Sequence, residues 1–118
     1  MLFRSRAWIP CARALEPQIE GLDLAYGIQA RYGLGYGLNT PSFVAAFGSH
    51  LKDRRVAWWG GSGGSFVIND LGERMTVAFV MNKHVEAGGW DHRSVDIIAA
   101  AYQSLAGRGR VTLPSRTA

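Results

Sequence analysis

The chain of 118 residues is the size of one domain, and its 47% hydrophobic and 19% charged residues argue for a globular protein and against intrinsic disorder. Its formal charge of +4 belongs to the ends. Arg4, Arg6, Arg13, Arg108, Arg110 and Arg116 lie in segments 1–13 and 107–118, which hold no acidic residue, so the stretch between has seven basic groups against nine acidic ones. That body offers no basic stripe for nucleic acid. The lone Cys11 excludes an internal disulfide and a thiolate metal site, and no run approaches the roughly 20 apolar residues of a membrane helix.

In chain order, "CARALEPQIEG" (11–21) reads as a helix ending near Leu15, with Pro17 and Gly21 as punctuation. "RYGLGYGL" (31–38) sets Tyr32, Leu34, Tyr36 and Leu38 on one side of an extended chain and glycines 33, 35 and 37 on the other, which predicts a strand with one bare face. Residues 39–55, with Pro41 and Gly48, read as a loop. "VAWWGG" and "SFVIN" predict strands on either side of a glycine run, and "NDLGER" (69–74) is a turn. "MTVAFVMN" (75–82), apolar almost without alternation, predicts a central strand covered on both faces and paired with 65–69 as a hairpin. "KHVEAGG" is a loop. Asp91 then caps a helix whose Val95, Ile98, Ala99, Tyr102 and Leu105 recur at helical spacing before Gly107. The expected fold is α+β, a three-strand antiparallel meander closed by a C-terminal helix.

The glycine run in "AWWGGSGGSFVIND" (57–70) allows two functions. A phosphate cradle needs glycines at a strand-to-helix turn, but here they lead into the strand Phe66-Val67-Ile68, and no lysine follows at P-loop spacing. A strand beside a cleft fits better. Without side chains, its backbone N–H groups meet a substrate directly and serve as oxyanion donors for acyl transfer. A twisted, tightly packed strand with no ligand is the structural alternative.

The ordered set "RYGLGYGL…WGGSGGSFVIND…RMTVAFVMNK…DHRSVDIIAAAYQSL" resembles the C-terminal part of the serine hydrolases related to class C β-lactamases, which include esterases and penicillin-binding-protein-like enzymes. The resemblance spans about residues 15–106, leaving 1–14 and 107–118 as basic tails. It implies a partial β-lactamase-like domain in which Trp59-Gly60-Gly61 takes the place of the family's active-site triad in its esterase form. By the same analogy Ser62 lends its backbone N–H to the oxyanion hole, and Trp59, Gly61, Ser62 and Gly63 contact the substrate.

The family's nucleophile, a Ser-x-x-Lys serine, and its Tyr-x-Asn or Tyr-x-Ser group both precede the glycine strand. Here Ser49-x-x-Lys52 sits in the short connection before Trp59, and Tyr102-x-Ser104 falls in the last helix. Both read as coincidence, Tyr102 being a core aromatic. His50, His84 and His92 show no metal-ligand spacing, so no metal or cofactor is expected. The resulting expectation is a truncated or split serine hydrolase, cytoplasmic and inactive alone. It carries one wall of the site and acts on a small ester or amide only when complemented by an N-terminal hydrolase fragment, or else it self-associates through its open strand edges. The alternatives are a non-catalytic small-ligand binding module, an oligomerising pseudoenzyme and a basic-tailed nucleic-acid binder, the last disfavoured by the neutral-to-acidic body.

Overall fold

The computed structural model describes residues 12–86 and 91–107. Six strands form one antiparallel sheet in sequential order: β1 (Ile19–Asp23), β2 (Ile28–Tyr32), β3 (Gly37–Leu38), β4 (Val56–Gly60), β5 (Phe66–Asp70) and β6 (Met75–Phe79). Helix α1 (Pro41–Phe47) and a 3₁₀ turn (Ser49–Leu51) intervene between β3 and β4, and helix α2 (His92–Gly107) follows β6. The register places Val56, Trp58 and Gly60 beside Asp70, Ile68 and Phe66, and these beside Met75, Val77 and Phe79. Because side chains alternate along a strand, this row faces one side. There Trp58, Phe66 and Ile68 meet Phe43 and Phe47 of α1, Leu51, and Ile98 and Tyr102 of α2 in a single core.

The strands flanking the glycine run, the pairing of β5 with β6 as a hairpin and the helix after Asp91 agree with the sequence reading, while the turn expected at 69–74 narrows to 71–74 because Asn69 and Asp70 belong to β5. Asp91 caps as expected, its Oδ1 accepting from Arg93 N at 2.8 Å. Four expectations are corrected. The sheet has six strands, not three: β1 is short and mostly exposed, so burial leaves little imprint on its sequence. The single strand at 31–38 is instead a hairpin in which Tyr32 pairs with Gly37. Its bend uses Gly35 at φ +82°, a conformation that glycine adopts without strain. Within the supposed loop 39–55 lies α1. Thr40 Oγ1 accepts from Phe43 N at 3.1 Å, Pro41 opens the helix, and Gly48 closes it. Finally, β6 is the edge of the sheet rather than its centre. It stops at Phe79, its residues alternate between half-buried and exposed, and Val80 is 84% exposed.

The basic tails lie mostly outside the described residues, at 1–11 and 108–118, as do 87–89 of the loop "KHVEAGG". Residues 12–14 form a helical turn, and Ala14 O accepts from Leu34 N at 2.8 Å. Among the described residues, no helix is long and apolar enough to cross a membrane.

Polar groups beneath α2 hold the helix in register. The Tyr102 hydroxyl donates to buried Asp70 Oδ2 at 2.7 Å, and Arg54 Nη1 reaches the same oxygen at 3.2 Å. Burial pushes the Asp70 carboxyl up, but the Glu73 N–H, Tyr102 and Arg54 together outweigh it and hold the group below its ordinary value. His50 lies 5.0 Å, centroid to centroid, from the Tyr102 ring, and its buried Nε2 has no partner among the described residues. Burial, then the Arg54 charge, lowers the His50 pKa from its ordinary value of 6.5. The folded chain therefore resists a proton that the unfolded chain accepts. Stability from this site is complete above about pH 6.5 and declines as pH falls through the histidine range. The urea midpoint should drop between about pH 7.5 and 5.5, and His50→Gln should shrink that drop; equal drops in the two proteins would refute the assignment.

Candidate functional site

The cleft is floored by an indole. Trp58 Nε1 donates to Leu38 O at 3.2 Å, and the ring stacks on Phe43 with centroids 4.8 Å apart and planes 10° from parallel. The same ring lies over Gly37, where an added Cβ would come within 2.3 Å of Trp58 Cε2. The bare face read from 31–38 is thus used by the protein itself at this position.

After Trp58 the chain turns outward. Trp59 is 52% exposed, and Gly60 leads into a tight loop closed by Gly61 N to Ser65 O at 2.8 Å and Gly64 N to Gly61 O at 3.4 Å. Gly63 (φ +88°) and Gly64 (φ +111°) hold left-handed conformations. Space also demands glycine: a Cβ on Gly63 would meet His84 Cδ2 at 2.3 Å, and one on Gly64 would meet Asp91 Oδ2 and Arg93 Nη2 at 2.7 Å. Among the described residues, the Ser62 and Gly63 N–H groups donate to no backbone carbonyl.

These residues border a cleft of about 570 Å³, within the usual size range of small-molecule sites. Trp59, Gly60, Gly61, Ser62 and Gly63, the residues singled out from sequence, all line it. The facing surfaces come from the β1–β2 hairpin, with Tyr26 and Tyr32, and from the segment after β6, with His84 and Glu86. Sequence reasoning missed these four as site residues. The sequence marks Tyr32 only as a strand aromatic and His84 only as a loop residue, and no motif links either to the glycine run. The Tyr32 hydroxyl donates to Asp23 Oδ2 at 2.7 Å. Burial, then Asp23, pushes its pKa up to about 12, so it remains a protonated donor. Ser62 Oγ and His84 Nε2 lie 3.3 Å apart.

The Ser49-x-x-Lys52 and Tyr102-x-Ser104 matches stand outside the cleft. Ser49 opens the 3₁₀ turn, Lys52 follows it, and Tyr102 is buried against Asp70. Among the described residues, no cluster of three or more His, Cys, Asp or Glu is placed to hold a metal ion.

No protein-family model and no curated protein matches the chain. Among solved structures it is similar to a novel penicillin-binding protein homolog from Caulobacter crescentus, at 33% identity and a TM-score of 0.66. The match covers 78% of this chain and 24% of that one. The chain spans about a quarter of that protein. The likeness supports a common origin with penicillin-binding-protein-like and β-lactamase-like proteins.

The contact between Gly37 and Trp58 is directly testable. Gly37 holds no positive φ, so alanine there is conformationally tolerable and its effect is steric. Gly37→Ala should destabilise the fold by about 1–3 kcal/mol and shift the tryptophan emission as the indole is displaced. A variant with unchanged melting and emission would show that the ring does not depend on this glycine.

Proposed function

We propose that residues 15–106 supply the C-terminal, oxyanion-side wall of the acyl site in a β-lactamase-related serine hydrolase of the esterase type. The observation that carries this reading is the glycine loop itself. It borders a small-molecule-sized cleft, and the N–H groups of exposed Ser62 and buried Gly63 have no backbone acceptors among the described residues. Such donors stabilise the oxygen of a carbonyl under attack. The penicillin-binding protein homolog from Caulobacter crescentus supplies a precedent for the fold at 33% identity. Trp59, exposed at the rim, offers an apolar wall to the acyl or leaving group. Since Ser49-x-x-Lys52 lies away from the cleft, efficient turnover in this reading uses a serine supplied by residues outside these 118.

A carbonyl-seeking site has a binding signature. The full chain should bind a phenylacetyl amide and quench its tryptophan fluorescence. The analogue with a methylene in place of the carbonyl should bind up to about 10-fold more weakly, the difference expected of one hydrogen bond. Trp59→Ala should weaken both ligands, and Gly61→Val should block both. Equal affinity for the two ligands would remove the oxyanion reading, leaving at most an apolar binding module.

The reading also concerns partners. Among the described residues β1 and β6 each pair with one strand only, and Ile19, Leu22, Leu24, Ile28 and Leu34 are exposed on and beside the first hairpin. Exposed edges and apolar surface favour pairing with another chain or with a complementing hydrolase segment. Light scattering on the isolated chain should show a dimer or larger species and binding of a hydrophobic dye. A stable monomer that binds no dye would argue against the pairing.

A further inference from the structure

We infer that Ser62 and His84 form a nucleophile–base pair that accepts an acyl group within this chain. This inference goes beyond the role just proposed, because both partners are present here and no outside serine is required. The distance of 3.3 Å between Ser62 Oγ and His84 Nε2 lies just above the range typical of such pairs, which often lengthen when no substrate is bound. The contact is braced on both sides. Gly63 O, next to Ser62, accepts from Val85 N at 3.3 Å and from Arg93 Nη2 at 3.0 Å. Lys83 O, next to His84, accepts from Arg93 Nη1 at 3.0 Å. Arg93 therefore ties together the two loops that carry the pair, and it is itself held by both oxygens of Asp91. The Arg93 hydrogen bonds keep the Asp91 pKa down at about 2, so that clamp stays charged throughout the neutral range.

The glycines suit the same purpose. Gly60-Gly61-Ser62-Gly63-Gly64 places a glycine two residues before and two after the serine. That spacing lets a serine stand out on a sharp turn while the following residue offers its N–H to an oxyanion. Here the turn joins two strands instead of a strand and a helix, so the contacts carry the argument. Any side chain on Gly63 would occupy the place of the His84 ring, and the Gly63 N–H has no backbone acceptor among the described residues.

The step balances without a co-reactant beyond the ester. Ser62 Oγ bonds to the ester carbonyl carbon as its proton passes to His84 Nε2, and the C=O π pair moves onto oxygen beside the Gly63 N–H. Collapse restores the carbonyl and breaks the ester C–O bond, and the departing oxygen takes the proton back from His84. Ser62 is left acylated and His84 neutral. No described carboxylate bonds the His84 ring, so the pair lacks the third group that orients an efficient triad. The substrates that fit are aryl esters of short acids, which have good leaving groups, and the product is a long-lived acyl adduct instead of rapid turnover.

The full chain treated with p-nitrophenyl acetate should release a burst of p-nitrophenolate and gain one acetyl group, which peptide mass mapping places on Ser62. Ser62→Ala should abolish the adduct, while Ser62→Cys, close in size, should retain it as a thioester. His84→Gln should slow acylation by about 100-fold, and Ser49→Ala should leave it unchanged. Each variant is compared at matched circular dichroism and melting temperature. An adduct on another residue, no adduct on the folded chain, or an unaltered rate in His84→Gln would overturn the pair. The amide-binding titration reads the oxyanion wall separately, so failure of one leaves the other standing.

Discussion

An indole pressed against a residue with no side chain organises this molecule. Trp58 can lie over β3 because position 37 is glycine, and from there it reaches Leu38 O and stacks on Phe43. The contact joins the strand that leads into the glycine loop to helix α1. A larger residue at 37 would push the ring out and take the cleft floor with it. Aromatic stacking of this kind adds about 0.5–1.5 kcal/mol beyond area burial, and its larger contribution here is positional. Trp59, the next residue, stands exposed at the rim with its ring centroid 6.5 Å from that of Trp58, so the buried indole also positions the exposed one.

The parts of the fold legible in the sequence are those with a dense local signal. The helix after Asp91 repeats its apolar residues over 16 residues, and the turn "NDLGER" holds the residue types that reverse a chain. The strand β1 leaves almost no pattern, since four of its five residues are exposed. Its turn was readable: Asp23 Oδ1 accepts from Ala25 N and Tyr26 N, and Gly27 sits at φ +66°, as aspartate and glycine often do in a bend. Helix α1 also carried start and stop marks in Thr40-Pro41 and Gly48, diluted by its length of seven residues. "RYGLGYGL" misleads for a physical reason: alternating glycines satisfy the period of a strand and the needs of a turn equally well.

The glycine loop was found from sequence because composition alone marks it. Its partners in the cleft were not, because Tyr26, Tyr32 and His84 lie 20 or more residues away in sequence and meet it only through the sheet and the Arg93 clamp. The positive charge that dominates the composition lies largely in segments outside the described residues, while the cation that matters most to the cleft, Arg93, is neutralised by Asp91. Net charge was therefore a poor guide to the site, and local bonding a good one.

The strand order β1 to β6 follows the chain without a crossover, so every strand pairs only with its neighbours in sequence. The hairpins β1–β2, β4–β5 and β5–β6 close short loops with little loop-closure entropy to overcome, while β3 and β4 are joined across α1 and the 3₁₀ turn. The pairing instructions of the sheet are therefore carried between chain neighbours, and a substitution that disturbs one hairpin leaves the hydrogen-bonding partners of the others unchanged.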